Sequence, residues 1–201
     1  MMGRPVATDA AMKISNSARR RASALLVLAA SMAAPALRAE PPLVVLVRHA
    51  DRGTEPADDP GLSPAGQARA RALGDALGFA HIGAVIATQY RRTRETGQAV
   101  AQRLGLVPQV VEARPGEEPA RHIADVVAAV RRQSAPVLVV GHGNTVPAVL
   151  AALGGPQLPD LCETSYGLAF VLVPGMGPGA KPVTLQLRYG EPDPAPAAGC
   201  L

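Results

Sequence analysis

Basic side chains follow three apolar segments of this 201-residue chain. The stretch LVVLVRHADR places Arg48 and His49 directly after one apolar run, and LVVGHGN places His142 after another. In AVIATQYRRTRET, Arg92 is one of three arginines that follow a third run. A guanidinium group binds two oxygens of a phosphoryl group at once, and a neutral imidazole is a competent nucleophile. These residue types therefore indicate a site for phosphoryl chemistry.

The arginines and glycines around the histidines suit a bound phosphate in particular. Gly143 lets the backbone approach an anion, and a helix that begins nearby adds N–H donors. Arg52 is a further candidate for a phosphate contact, with pairing to a neighbouring aspartate as the alternative. The guanidinium groups can carry out the charge stabilisation that a metal ion supplies elsewhere. We therefore predict neither a metal nor a cofactor, and no HExxH, CxxC or P-loop pattern is present.

Alternating strand and helix patterns position these residues. Strands are predicted at 43–47, 84–87, 108–111, 136–140, 168–173 and 182–189. Helices are predicted at 63–77, at 90–104, around 123–130 and at 144–154. This alternation predicts an α/β three-layer sandwich, with a mostly parallel sheet between helices on both faces. No helix separates the last two strands, so at least one of them is expected to be antiparallel at an edge. The carboxyl ends of parallel strands share one rim, where ligands bind.

The motifs RHADR, LSPAGQARARAL, YRRTRETG and LVVGHGNTVP, in this order, resemble the histidine phosphatase superfamily (branch 1). The resemblance extends from residue 43 to about residue 189 and implies the phosphoglycerate-mutase-like fold. Within the superfamily, the chain resembles the short exported bacterial phosphatases more than the mutases.

The resemblance also implies roles for four residues. His49 would be the nucleophile that forms a phosphohistidine, with Ala50 where glycine is commonest in the family. Arg48 would bind the phosphoryl group. An arginine four residues before a threonine has the same role in the family, which selects Arg92. His142 would be the second pocket histidine and would donate to the phosphoryl oxygens.

The proton donor is harder to assign. The family often has a glutamate in an E-x-x-x-G spacing after the third strand, and EARPG, beginning at Glu112, fits that spacing. A proline replaces the aromatic residue that the family has before the glycine. We therefore predict Glu112 as the donor, with three alternatives: Glu117, Glu118 and Asp51.

Three other polar residues receive structural interpretations. Asn144 is expected to cap the fourth helix. His81 and His122 are expected to lie away from the rim, as structural or surface residues.

The N-terminal segment predicts export. Basic residues precede the apolar stretch ASALLVLAASMAAPA, and small residues follow it, which is typical of a signal peptide over residues 1–39. The catalytic domain would span 40–190 and a flexible tail 191–201, in a periplasmic or secreted protein without stable membrane insertion after cleavage. In an oxidising compartment Cys162 and Cys200 could form a disulfide, and two free thiols are the alternative.

The charge of the chain argues against nucleic acid as a partner. The net charge is +4 over 201 residues, but cleavage after residue 39 leaves 14 basic and 15 acidic residues. The expected function is hydrolysis of a small-molecule or envelope phosphomonoester, such as a sugar phosphate or a lipopolysaccharide phosphate. The alternatives are a phosphate-binding module without catalysis and a phosphomutase, for which the chain has little room for a large lid. Nothing in the sequence indicates the oligomeric state.

Overall fold

The computed structural model describes residues 43–114, 116, 118–177 and 179–201, which belong to one compact unit. The predicted signal peptide and Glu117 lie outside the described residues. In the part of the chain that is described, no helix is long and apolar enough to cross a membrane.

The described residues form six strands and four helices in the predicted alternation. The strands are β1 (Val44–Arg48), β2 (Ala84–Ala87), β3 (Gln109–Val110), β4 (Val137–Gly141), β5 (Leu168–Val173) and β6 (Val183–Arg188). The helices are α1 (Pro64–Ala76), α2 (Arg91–Leu104), α3 (Pro119–Arg131) and α4 (Thr145–Ala152).

All six strands join one sheet in the order β3-β2-β4-β1-β5-β6. β1 to β4 are parallel, whereas β5 pairs antiparallel with β1 and β6 pairs antiparallel with β5. The predicted mixed sheet with an antiparallel edge is therefore confirmed. Since β5 runs opposite to β1, the residues that precede β5 lie at the rim where β1 ends.

Helices cover both faces of the sheet because alternate residues of each strand point to opposite faces. Val44 and Leu46 of β1 pack in the cluster that contains the apolar residues of α3 and α4. Val45 and Val47 pack in the cluster that contains those of α1 and α2. The three-layer α/β sandwich predicted from the sequence is confirmed.

The helix that follows β4 differs from the prediction at its first turn. Asn144 occupies the N-cap position of α4, but its side chain makes no capping hydrogen bond. The Oγ1 of Thr145 instead accepts a hydrogen bond from the backbone N–H of His142 at 2.9 Å. The prediction that Asn144 caps α4 through its side chain is therefore wrong. The turn that carries His142 is held by the threonine.

The C-terminal segment, predicted to be a flexible tail, is held at two points. Asp193 is paired with the buried Arg69 at 3.2 Å. Further along, Cys200 forms a disulfide with Cys162, and Leu201 donates its backbone N–H to the carbonyl of Asp160 at 3.1 Å. The sequence did not decide between a disulfide and two free thiols. Two cysteines 38 positions apart do not reveal whether the fold brings them together.

Candidate active site

The two predicted pocket histidines leave neighbouring strands at the same rim. β1 and β4 pair in parallel with Arg48 opposite Gly141, so His49 and His142 follow at the same level. The backbone N–H of His49 donates to the carbonyl of Gly141 at 2.9 Å, which extends the ladder by one residue. The centroids of the two imidazole rings are 5.5 Å apart.

A cavity of about 360 Å³ opens at this rim. Its size lies within the range of small-molecule sites. The lining contains the basic residues and glycine predicted from the sequence together with residues that were not predicted. It consists of Arg48, His49, Arg52, Arg92, His142, Gly143, Asn144, Asp160, Leu161 and Glu163.

His49 has a fixed tautomer and no charge at neutral pH. Its Nδ1–H donates to the carbonyl of Ala50 at 2.8 Å, and a carbonyl can only accept, so the lone pair lies on Nε2. The residue is only 3% exposed. Burial lowers the pKa of His49 from 6.5 to about 3, against the opposite effect of the Ala50 hydrogen bond. The ring therefore offers an unprotonated nitrogen.

A chain of hydroxyl groups fixes the second histidine. Nε2 of His142 is 3.1 Å from Oγ1 of Thr88, which is 2.8 Å from Oγ1 of Thr93. The hydroxyl group of Thr93 can donate to the backbone carbonyl of Tyr90 at 2.8 Å or to that of Thr88 at 3.1 Å. With its proton on either carbonyl, Thr88 donates to Thr93 and accepts from the Nε2–H of His142. Nδ1 of His142 is consequently unprotonated, and burial lowers the pKa of this ring to about 3.

Arg48 is buried and held from several sides. Its Nη1 donates to the carbonyl of Cys162 and its Nη2 to Oε2 of Glu163 at 3.0 Å. The ring of Tyr166 lies over the guanidinium group, with 4.4 Å between Cζ and the ring centroid. Nε of Arg48 is buried without a partner among the described residues. Three of these contacts come from the segment before β5.

Of the three arginines at the start of α2, Arg92 lines the cavity, whereas Arg91 and Arg94 do not. The guanidinium group of Arg92 lies 4.4 Å from the ring centroid of Tyr90 and 3.8 Å from Asp59. Burial lowers the pKa of Arg92, but an arginine keeps its charge in proteins. Arg91 instead pairs with Glu95 on the exposed face of α2. The structure thus separates these arginines as the spacing to the threonine predicted.

That threonine joins α2 to the loop that carries the nucleophile. Thr96 accepts from the backbone N–H of Ala50 at 3.0 Å and donates to the carbonyl of Arg92 at 2.7 Å. Ala50 is fully buried beside Leu62 and Ala70. Its methyl group therefore packs in a small apolar cluster, which explains how alanine fits where the family usually has glycine.

Glu112, the predicted proton donor, lies outside this cavity. Glu112 does not line the cavity, and its side chain is 60% exposed and paired with Arg114 at 3.4 Å. Its carbonyl, not its carboxylate, faces inward and contacts Nδ1 of the buried His122 at 3.1 Å. Of the alternatives, Asp51 is bound to Arg69 at 2.7 Å and Glu118 precedes α3. Neither of them lines the cavity.

The other sequence interpretations have separate outcomes. Arg52 lines the cavity, and the aspartate next to it, Asp51, is paired with Arg69 instead. His81 is exposed, and His122 is a buried residue under the loop after β3. Neither lines the cavity, but His122 lies near the rim, where it contacts the loop after β3 and interacts electrostatically with His142, so the prediction that it lies away from the rim is wrong.

The segment DLCETSY at 160–166 was not predicted to contribute to the site. It brings Asp160 and Glu163 to the cavity and Tyr166 to within 5.9 Å, between ring centroids, of His49. The signal was present: a segment that precedes an antiparallel strand beside β1 must start at the rim where β1 ends. Two carboxylates around a cysteine in that segment could have been recognised as candidates.

Nothing in the described residues suggests a resident metal ion. No group of three or more His, Cys, Asp or Glu side chains there is arranged to hold one. The cationic side chains of the cavity suit an anion instead.

The sheet thus carries an arginine and a histidine at the end of its first strand and a second histidine at the end of the neighbouring strand. Residues 44–117 match the family model described as the histidine phosphatase superfamily (branch 1). This match agrees with the resemblance predicted from the sequence.

Solved structures share the fold at low sequence identity. "Mycobacterial hydrolase 1" is 18% identical with a TM-score of 0.56, and the match covers 74% of this chain and 99% of that one. The protein histidine phosphatase SixA in complex with tungstate is 19% identical with a TM-score of 0.55, over 73% and 96% of the chains. A mycobacterial glucosyl-3-phosphoglycerate phosphatase is 18% identical with a TM-score of 0.51, over 74% and 98%. No curated protein matches the sequence.

Proposed function

We propose that this protein is a metal-independent phosphatase that hydrolyses a phosphomonoester through a phosphohistidine on His49. One observation carries the proposal: a buried, unprotonated imidazole nitrogen lies in the same cavity as three arginines and a second histidine. A nucleophile surrounded by fixed positive charge is what attack on a phosphate dianion requires.

Binding precedes the chemistry. Arg48 and Arg92 would hold the phosphoryl oxygens, with Arg52 at the edge of the cavity. The unpartnered Nε–H of Arg48 lies near Gly143, and a Cβ added at that glycine would lie 3.9 Å from the nitrogen and 3.0 Å from the carbonyl oxygen of Leu161. The guanidinium groups are fixed before the substrate arrives, so little reorganisation accompanies the reaction.

The second histidine changes its protonation state when phosphate binds. In the free protein the hydroxyl chain holds the proton on Nε2 of His142 and leaves Nδ1 without one. A phosphate dianion nearby favours the charged imidazolium, in which both ring nitrogens are donors. His142 would then donate to a phosphoryl oxygen, the role that the sequence resemblance implied.

The reaction would proceed in two displacements. Nε2 of His49 attacks phosphorus while the bond to the leaving oxygen breaks, and the leaving alcohol receives a proton. Water then attacks the phosphohistidine, the N–P bond breaks, and inorganic phosphate leaves. In phosphoryl transfer generally, arginines that face the developing charge contribute about 10³–10⁵-fold in rate. The sequence resemblance predicts Glu112 as the proton donor, but its carboxylate lies outside the cavity in the structure.

We also propose that the protein acts outside the cytoplasm on a periplasmic or envelope phosphomonoester. The predicted signal peptide supports this location, and so does the Cys162–Cys200 disulfide, since disulfides persist in oxidising compartments. A sugar phosphate is the favoured substrate class. One structural neighbour is a phosphatase of a glucosylated phosphoglycerate, and the cavity here is large enough for a small phosphorylated molecule.

Hydrolysis of p-nitrophenyl phosphate tests the proposal with little demand on the proton donor. Wild-type mature protein should hydrolyse it in the presence of a chelator, and His49→Asn should lower kcat by about 10³-fold or more. His81→Asn is the matched control, because that histidine is exposed and remote from the cavity.

Trapping the intermediate tests the mechanism. Quenched reactions should contain a phosphoryl adduct that is labile in acid and stable in base, and His49→Asn should not form it. Phosphate binding without turnover would identify a binding module and refute the proposed enzyme. Loss of activity with the chelator would refute metal independence.

A further inference from the structure

Two carboxylates from the segment before β5 line the cavity that contains the proposed nucleophile. The segment 160–166 lies between α4 and β5, and it contributes Asp160 and Glu163 to the cavity that contains His49. Among the described residues that line this cavity, these two are the only acids. Neither was predicted as a functional residue, and neither lies after β3, where the sequence resemblance placed the proton donor.

The position of Glu163 suits the leaving group. Both residues line the cavity, and their exposures of 3% for His49 and 80% for the Glu163 side chain lead us to place His49 at its floor and Glu163 at its mouth. In-line attack from the floor sends the leaving oxygen toward the mouth. Oε2 of Glu163 is also 3.0 Å from Nη2 of Arg48, a residue that would hold the phosphoryl group. The carboxylate is therefore next to the phosphoryl position, on the side where the leaving oxygen departs.

Other acids near the rim already have partners. Asp51 is bound to Arg69 at 2.7 Å. Asp59 accepts from the backbone N–H of Arg91 at 3.0 Å. These contacts keep both carboxylates engaged outside the cavity lining.

The segment is fixed although it has no regular secondary structure. The carbonyl of Cys162 accepts from Nη1 of Arg48, and its N–H donates to the carbonyl of Leu201 at 2.7 Å. The disulfide to Cys200 joins the same two segments covalently. Since these contacts are made by the residue that precedes Glu163, they hold its backbone near the phosphate-binding arginine. A site residue on a loop needs such support to act as a precise donor.

We infer that Glu163 is the proton donor to the leaving group, an inference that rests on the proposed phosphatase function. In the free protein Arg48 pairs with the carboxylate. A bound phosphoryl group would replace this carboxylate as the partner of Arg48 and free the carboxyl group of Glu163 for the leaving oxygen.

The proton that Glu163 donates is replaced from solvent. As the N–P bond to His49 forms and the ester P–O bond breaks, the leaving oxygen takes the proton of Glu163. Water then attacks the phosphohistidine, the N–P electron pair returns to Nε2 of His49, and the protons of the water leave with inorganic phosphate. The exposed carboxylate of Glu163 takes up its next proton from solvent.

Two substrates separate proton donation from other roles. An alkyl phosphate such as glycerol phosphate needs a proton on its leaving oxygen, whereas p-nitrophenolate leaves without one. Glu163→Gln keeps the size of the side chain and the hydrogen bond to Arg48. It should lower kcat for the alkyl phosphate by about 10²–10⁴-fold, the usual contribution of general acid catalysis, and should leave turnover of p-nitrophenyl phosphate nearly unchanged.

The control variants are Asp160→Asn, from the same cavity, and Glu112→Gln, from the loop after β3. Both should retain the wild-type ratio of the two kcat values. Thermal unfolding of each variant is measured beside the kinetics. We expect no large change in the unfolding temperature of Glu163→Gln, because the side chain of Glu163 is exposed.

Several results would overturn the inference. Equal losses on both substrates, a lower KM without a change in the ratio of the kcat values, or a selective loss in Glu112→Gln or Asp160→Asn would each do so. If wild-type protein does not hydrolyse p-nitrophenyl phosphate, the proposed function fails and this inference fails with it. If it does, an unchanged ratio in Glu163→Gln refutes the role of Glu163 alone.

Discussion

Because His49 is buried as a neutral ring, we predict that protonation of this histidine at acidic pH destabilises the folded protein. The pKa of this ring is lowered from 6.5 to about 3 in the folded protein. Below pH 6.5 the unfolded chain therefore binds a proton that the folded chain does not bind. The stability contributed by the neutral ring is present above pH 6.5 and is lost as the pH falls toward 3. Replacement of His49 by asparagine should remove this loss.

The magnitude follows from the two pKa values. Between pH 7 and pH 5 the unfolded histidine goes from largely neutral to largely charged, while the folded one stays neutral. This difference lowers the free energy of unfolding of the wild type by about 2 kcal/mol for this one ring. The asparagine variant should lose about 2 kcal/mol less than the wild type over the same interval. Its amide can still donate to the carbonyl that Nδ1 of His49 contacts, so the local backbone is kept.

Urea unfolding at pH 7 and at pH 5 measures this difference directly. His81→Asn is again the control, because His81 is exposed and its backbone φ of 51° is one that asparagine tolerates. That variant should keep the pH dependence of the wild type. The reasoning would be refuted if His49→Asn and the wild type lost equal stability between the two pH values. It would also be refuted if His81→Asn reduced the loss as much.

Three further predictions concern the support of the site. Cys200→Ser should lower the free energy of unfolding by about 4 kcal/mol in the chain-entropy model, since the bridge spans 38 positions, and should raise KM. Reduced wild type should match it, and an unchanged KM would contradict the role of the clamp. Arg92→Lys should lower kcat/KM by about 10²-fold, whereas Arg91→Lys should not; equal effects of the two changes would contradict the distinction between these arginines. Thr88→Val should lower kcat by about tenfold by releasing the proton of His142, and an unchanged kcat would contradict the hydroxyl chain.

Much of the fold could be predicted because local patterns record burial. Strand β4 is an uninterrupted apolar run since it lies between two layers of helices, and all of its residues are buried. Helix α1 begins where a serine precedes a proline, and Ser63 does accept the N–H of Gly66 at 3.1 Å. Because parallel strands end at one rim, the meeting of His49 with His142 also followed from the pattern.

The spacing within a helix was equally informative about the arginines. Arg92 and Thr96 are four residues apart, so they lie on one face of α2, the face turned to the sheet. Their neighbour Arg91 lies on a different face and is exposed. The resemblance selected Arg92 by its spacing to the threonine, and helical geometry explains why that spacing places the two residues on one face.

The side-chain directions in the loops were not readable in the same way. Glu112 fits the spacing of a family motif, but its carboxylate turns toward Arg114 and solvent, while its carbonyl contacts His122. Asn144 has the residue type of a helix cap, yet Thr145 makes the hydrogen bond. Loop rotamers depend on partners from other segments, which a local pattern does not record.

The amino-acid sequence by itself determined the order of strands and helices and the rim at which two histidines and their arginines meet, because periodicity and apolar runs encode which faces are buried. Only the tertiary structure decided that Glu163, 115 positions from Arg48, faces the same cavity, and that Cys200 holds its segment in place. Contacts over such separations arise from the antiparallel return of β5 along β1. They depend on how distant segments pack together, which no stretch of the sequence specifies alone.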